Sequence, residues 1–378
     1  MATADTRLLA RPLMVVAFGC LLLGLLGGLL RLGLNPLAAV TQDPGVSPLV
    51  GQAAVSHAAL MICAFLGTVI GVERAVALRL RRAFAAPLAA ATGGLALWLG
   101  EPRVADAAFV IAAVAFVPVN LALLARQRAL HTGVLLLAAL AWLAGCLLQW
   151  LRPGDGAVAA WWFAFLVLTI AAERLEMTRL MRHQPGARAT LLAVLATLLA
   201  GAALGSDWPA AGSVVYGAAL LALALWLLRH DIARRTIHAD GLARYMAACL
   251  LAGHAWLGLG GIAWIALGLQ PAAAWRDAAL HAIGLGFVLG MVMAHAPVIL
   301  PAVARIKLAF GPWFYAAPAL LQLSLLLRLG GGALHPALRP LGAALNAGAV
   351  LLFLFTVLGS ALLQARRHRP ARSTVLVR

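Results

Sequence analysis

Four histidines of this chain, His57, His254, His281 and His295, fall inside long apolar stretches. An imidazole in lipid is costly, and polar groups at such depth usually face the bundle interior for a function. Two Glu-Arg dipeptides, Glu73 with Arg74 and Glu173 with Arg174, close further apolar runs, and Glu176 follows the second. The imidazoles can ligate a metal, carry protons or hydrogen-bond a neighbouring helix. The paired charges can anchor helix ends as ion pairs or form a vestibule for protons or a solute. The other six, His131, His183, His230, His238, His335 and His368, lie in loops, at run edges or in the tail and read as solvated or interfacial.

The elements that position these groups follow from composition. The chain is 64% hydrophobic and 11% charged, against about half and about a quarter in a soluble domain. An integral membrane protein in contact with the lipid bilayer is expected, with residues 1–378 as a single transmembrane domain. The net charge of +17 comes from arginines placed between apolar runs. They read as topology signals, not as a nucleic-acid surface. Cys20, Cys63, Cys146 and Cys249 all sit in apolar runs without ligand spacing and receive no disulfide or metal role. Residues 13–30 follow Arg7 and Arg11 as a signal peptide would, but the run is long and lacks a nearby small-residue cleavage site, so it reads as the first span.

A hydrocarbon core of about 30 Å takes roughly 20 helical residues. Runs of that kind lie at 12–33, 51–78, 83–99, 104–125, 131–150, 157–178, 187–204, 209–228, 242–266, 275–299, 312–329 and 338–364. The expected fold is all-α, a polytopic bundle of about twelve transmembrane helices. An even count puts both termini on one side, where Arg7, Arg11, Arg79, Arg81, Arg82, Arg126, Arg128, Arg179, Arg182, Arg188, the 229–244 segment, Arg305, Lys307 and the tail from Arg366 all fall. The opposite side receives only Arg31, Arg103, Arg152, Arg276, Arg328 and Arg339. Cytoplasmic termini in a bacterial-type inner membrane follow from that bias. Trp98, Trp150, Trp161, Trp208 and Trp275 would form an aromatic belt on the outer side. The outer loop 34–52, rich in Pro, Gly and Asp, reads as a turn-rich connection.

FLGTVIGVERAVALRLRR (65–82) and FLVLTIAAERLEMTRLMR (165–182) align without a gap and share Phe, Leu, Ile, Glu, Arg, Arg, Leu and Arg. The offset equals four helices, which makes the second, sixth and tenth spans equivalents in a parallel repeat. His57 and His281 then lie on equivalent spans, each about six residues or roughly 9 Å inside the outer boundary. Either they are interhelical hydrogen-bonding residues, or they ligate one cofactor between them; equal depth on related helices favours ligation. Zinc wants about four ligands including thiolate or carboxylate, whereas haem iron needs two axial donors and apolar walls. Haem b is therefore the expected cofactor, and copper is left open. Gly284, Gly286 and Gly290, with Gly253, Gly258, Gly260 and Gly261, either let a porphyrin approach the backbone or serve close helix packing. His254 lies near the midplane as a third ligand, a hydrogen-bond partner or a proton-path residue. His295 stands about 21 Å beyond His281 along one helix, beyond the reach of the same small cofactor. It lies level with Glu73, Arg74, Glu173 and Arg174, and under three-fold symmetry these groups converge.

With one histidine on helix two and another on helix ten near the outer side, the chain resembles subunit I of the haem-copper oxidases. SHAALMICAFLG looks like that family's helix-two pattern. The resemblance implies three four-helix arcs and makes His57 and His281 axial ligands of a low-spin haem. Length, span count and intramembrane histidines are also similar to the NnrS proteins, twelve-span haem- and copper-containing proteins linked to nitric oxide stress. An oxidase also needs copper-binding histidines on helices six and seven, and AWWFAFLVLTIAAERLEM and TLLAVLATLLAGAAL contain none. Oxygen reduction at a binuclear centre is not expected, and HAPVILPAV at the end of helix ten departs from both groups. The expected function is that of a membrane haem-b protein for electron transfer or for handling nitric oxide or another diatomic, with a redox partner protein or quinol as electron source. No residue is singled out as catalytic; any reaction would be an oxidoreductase's. The alternatives are a secondary transporter of a small solute or copper with a Glu73, Glu173 and His295 coupling site, and an assembly factor without chemistry.

Overall fold

The computed structural model describes residues 5–36, 38, 47–177 and 185–367. Arg179, Arg182, His183, His368 and residues 37 and 39–46 of the 34–52 connection lie outside them. The described residues are helical throughout, without a strand. Twelve long elements follow one another: α1 (Asp5–Leu30), α2 (His57–Leu78), α3 (Ala85–Trp98), α4 (Pro102–Arg126), α5 (Leu130–Leu151), α6 (Ala157–Met177), α7 (Ala187–Leu204), α8 (Pro209–His230), α9 (Gly241–Leu269), α10 (Ala273–Val303), α11 (Pro312–Leu334) and α12 (Leu338–Arg367). Eleven of them are long and apolar enough to cross a membrane. The exception is α3, whose 14 residues span only about 21 Å at 1.5 Å per residue. A 3₁₀ turn, Arg81–Phe84, precedes it and takes up the rest of the expected run.

The run expected as one helix from 51 to 78 is two. A short helix, Ser47–Val55, ends at Ser56, and α2 starts at His57 itself, so His57 opens its helix and is not a full turn inside it. The short helix can lie on α1 because position 27 is glycine: a Cβ there would stand 2.1 Å from the Ala53 carbonyl oxygen. Only a residue without a side chain permits that approach.

Helices adjacent in sequence pack side by side around the bundle, and α1 meets α10 and α12 to bring its ends together. The three expected repeat equivalents form the interior. Of the most apolar window in each span, 67% is buried in α2, 78% in α6 and 56% in α10, against 50% or less in every other spanning helix. The Glu-Arg segments of α2 and α6 lie together, with Arg74 donating to Glu173, and Trp98, Trp150, Trp208 and Trp275 near the opposite ends of the helices are exposed, as in an interfacial belt.

Two of the three inner helices share features beyond the aligned sequence. In α2 and in α10 a π-helical stretch begins within a turn of the histidine, Leu60–Leu66 after His57 and Ala282–Leu289 after His281. Each helix closes on an arginine in the left-handed conformation, Arg79 at φ 56° and Arg305 at φ 58°; among the described residues no other non-glycine has positive φ. π-helical turns are rare and concentrate at functional positions. A third, Leu326–Gly331 in α11, carries Arg328.

Candidate functional site

His57 and His281, from distant parts of the chain, come together with ring centres 6.3 Å apart and planes inclined by 21°. Nδ1 of His57 is 2.7 Å from the Gly24 carbonyl oxygen. A carbonyl only accepts, so Nδ1 carries the proton and Nε2 keeps its lone pair. Gly28 of α1 lets the ring sit so close: a Cβ there would stand 2.9 Å from His57 Cε1. On α10, Nδ1 of His281 points to the Asp277 carbonyl oxygen at 2.9 Å and to its carboxylate at 3.0 Å. Both imidazoles are thus held through Nδ1, the arrangement that fixes the tautomer and aims Nε2 when histidine serves as a ligand.

Asp277 is the hub of this end. Arg328 donates to both its oxygens, at 2.7 and 3.2 Å, and Arg339 donates at 3.1 Å. Arg328 also donates to Asn346, which donates in turn to Ser324 at 2.6 Å. Nη2 of Arg328 lies 3.4 and 3.2 Å from the two ring nitrogens of His281. Near-equal distances to nitrogens that point in different directions place the guanidinium against the ring face. Two guanidiniums meet a single carboxylate here, so this cluster carries a positive excess. In the sequence Arg328 and Arg339 count only among the few arginines of the outer side and Asp277 receives no role, although an acid four residues before a part-buried histidine is a readable signal of an i,i+4 pair.

At the other end the expected convergence of Glu73, Arg74, Glu173, Arg174 and His295 occurs, with the partners exchanged. Arg74 reaches across from α2 to α6 and donates to Glu173 at 3.0 Å, while its own neighbour Glu73 is 3.6 Å away. Arg174 turns to α10 and donates to Nε2 of His295 at 2.9 Å. Nδ1 of His295 faces the Met291 carbonyl at 2.7 Å, so that imidazole has no free polar atom. A cavity of about 670 Å³ opens between α1, α2, α6, α10 and α12, with Glu73, Glu173 and His295 in its wall.

His254 is fully buried, and its neighbours are the Phe287 ring, with centres 6.4 Å apart, and Asp231, 3.9 Å away. Neither of its ring nitrogens has a hydrogen-bond partner, nor has Oδ2 of Asp231. Among the described residues no three His, Cys, Asp or Glu side chains form a group able to hold a metal ion, so His254 does not join His57 and His281 as a third donor. Burial is the main influence on Asp231 and pushes its carboxyl above the ordinary range, against the opposing effects of the Ala233 amide and the nearby Arg174 and His295.

Four of the glycines near His281 and His254 serve close packing. A Cβ on Gly286 would run into Trp256, on Gly253 into Met291, on Gly260 into Ile283 and on Gly261 into the Gly217 and Leu221 backbone. Close packing, one of the two roles the sequence left open, is what these four perform, whereas at Gly258, Gly284 and Gly290 a Cβ would meet nothing closer than 3.4 Å.

No curated protein and no solved structure matches the chain. A family profile described as a domain of unknown function (DUF8744) matches residues 7–362, nearly the full length, and the protein belongs to that family.

Proposed function

We propose that this protein is a membrane haem-b protein in which His57 and His281 bind one iron from opposite faces, and that it transfers electrons or handles a diatomic such as nitric oxide. The observation that carries the reading is the spacing of the two rings. Iron–imidazole bonds of about 2 Å, with roughly 1.2 Å from nitrogen to ring centre on each side, put the centres of two axial imidazoles about 6 Å apart; the ring centres here stand 6.3 Å apart. Haem, when bound, supplies a one-electron couple. The chain's own part is to hold both Nδ1 protons on fixed acceptors, Gly24 and Asp277, so that each Nε2 is offered as a donor. Arg328 and Arg339 bring two positive charges to one carboxylate and leave a surplus for the carboxylates of a haem. Two strong axial donors favour electron transfer; binding a diatomic requires one imidazole to leave. A redox partner protein or quinol is the electron source this reading calls for.

The test is a reduced-minus-oxidised spectrum of protein purified from haem-replete cells. Soret and α bands are expected, and His57→Ala or His281→Ala abolishes or converts them. A colourless protein overturns the proposal.

Carriage of a small solute is the second reading, and the central cavity beside Glu73 and Glu173 is what favours it. Copper is the weaker cargo, because no three donors of suitable type come together among the described residues.

A further inference from the structure

The cavity at the arginine-rich end is amphipathic along its length. On α2 its wall runs from Phe65 to Glu73, on α6 from Leu166 to Glu173, and on α1 from Phe18 back to Arg11; Arg305, just past the end of α10, completes the same rim. The charged residues thus sit at one end, and deeper in the wall Phe18 and Phe65 stand with ring centres 6.2 Å apart. Along α10 the lining extends from Val288 to Val303, fifteen residues or roughly 22 Å of helix. One leaflet's half of a hydrocarbon core of about 30 Å is shorter than that. The volume, about 670 Å³, lies within the range of small-molecule sites.

The rim charges do not cancel. Glu73 and Glu173 share Arg74, which donates to Glu173 at 3.0 Å and stands 3.6 Å from Glu73. Arg11 and Arg305 add two exposed guanidiniums, and among the described residues neither side chain makes a hydrogen bond or an ion pair. Three guanidiniums therefore meet two carboxylates, and the surplus positive charge lies with the two arginines that have no partner. Arg174 adds nothing to the rim, because it is turned to His295. Arg305 is also held at φ 58°, a left-handed conformation that a residue with a side chain keeps only against strain, and such residues gather at ligand clamps.

An apolar shaft under a singly positive rim fits a membrane amphiphile whose head is a monoanion. Guanidiniums pair with phosphate oxygens through charge-assisted hydrogen bonds, and the shaft takes an acyl chain. Ionised carboxylates only accept, so Glu73 and Glu173 call for hydroxyls on the same head. A cationic head would add to the surplus, and a choline head has no proton to donate. We propose that this cavity binds an anionic phospholipid with a hydroxylated head, its phosphate on Arg11 and Arg305, its hydroxyls on Glu73 and Glu173, and one acyl chain in the shaft. The site is separate from the His57–His281 pair and does not depend on haem.

Three lipids with identical acyl chains provide the test: phosphatidylglycerol, with an anion and hydroxyls, phosphatidylmethanol, with the anion alone, and phosphatidylcholine, with neither a net charge nor a hydroxyl. Each is titrated into the purified, delipidated full-length chain in detergent, and the lipid retained after gel filtration is quantified by mass spectrometry against micelles alone. Phosphatidylglycerol should bind saturably and about tenfold or more tighter than either of the others. Arg305→Gly removes a guanidinium and suits the left-handed backbone, so the fold should hold while phosphatidylglycerol binding weakens about tenfold or more. Val292→Trp, which fills the shaft and leaves the rim in place, should abolish it. Retention of phosphatidylglycerol equal to that of either other lipid, no saturable retention, or binding unchanged in the folded variants overturns the proposal. Repeating the titration on His57→Ala protein keeps the result independent of the haem reading.

Discussion

At the scale of single residues, the chain concentrates its polar groups where they meet partners from other helices. Arg74 illustrates the cost of disturbing one. It is nearly buried and serves two carboxylates; removing it strands both in an apolar wall. Breaking a buried pair from one side typically costs about 3–5 kcal/mol, so Arg74→Ala should lower thermal stability by that order, and Glu173→Gln in the same background should recover part of the loss. A thermal shift assay on the purified variants checks both. Asp231 is a different case. Burial raises its carboxyl above the ordinary range, so the folded state binds a proton that the unfolded state has released. Stability contributed by that proton is present at low pH and declines as pH rises from the unfolded value through the folded one. The melting temperature should fall across that window, and Asp231→Asn, which keeps the oxygen that accepts from Ala233, should flatten the fall; an unchanged slope would count against it. The residues of the site were partly legible. His57 and His281 stood out because imidazoles are rare in lipid, while Asp277, Arg328 and Arg339 did not, since charges near helix ends look alike until the fold shows which ones share a carboxylate.

At the scale of elements, glycine decides where helices touch. α1 lies against the Ser47–Val55 helix at Gly27, and α8 crosses α9 at Gly217 and Gly261, where a Cβ on either would stand 2.5 or 2.7 Å from the other's carbonyl oxygen. Small residues allow such approach in membrane bundles, where packing and not hydrophobic expulsion holds helices together. Gly27→Ala has only backbone in its way, so the short helix must shift. The expected outcome is faster proteolysis within 47–55 than in the parent protein and a loss of about 1–3 kcal/mol from overpacking; an unaltered digestion pattern would contradict it. Helix positions were readable from hydropathy because each span needs roughly 20 apolar residues. The break at Ser56 and the shortness of α3 were not readable, as neither changes composition. The π-helical turns after the two histidines are set by packing and leave no residue-type signature.

At the scale of the whole molecule, the four-helix offset found in the sequence corresponds to a spatial fact: α2, α6 and α10 are the interior. The Glu-Arg dipeptides aligned α2 with α6, but the closer likeness joins α2 to α10, each with its histidine, π-helical turn and left-handed arginine cap. The shared histidine is legible in the sequence, whereas the π-helical turns and the arginine caps are not, because they lie in backbone conformation. The clustering of arginines at one end predicts that this end faces the cytoplasm. Reporter fusions after Arg128 and after Arg367 should both report cytoplasmic, and one after Arg152 the opposite; a split between the first two would contradict an even number of crossings. The central claim, that two imidazoles share one iron, is tested most directly by low-temperature electron paramagnetic resonance of the oxidised protein. The account predicts a low-spin ferric signal of bis-imidazole type that turns high-spin or vanishes in both His57→Ala and His281→Ala. A low-spin signal that survives either substitution would contradict it.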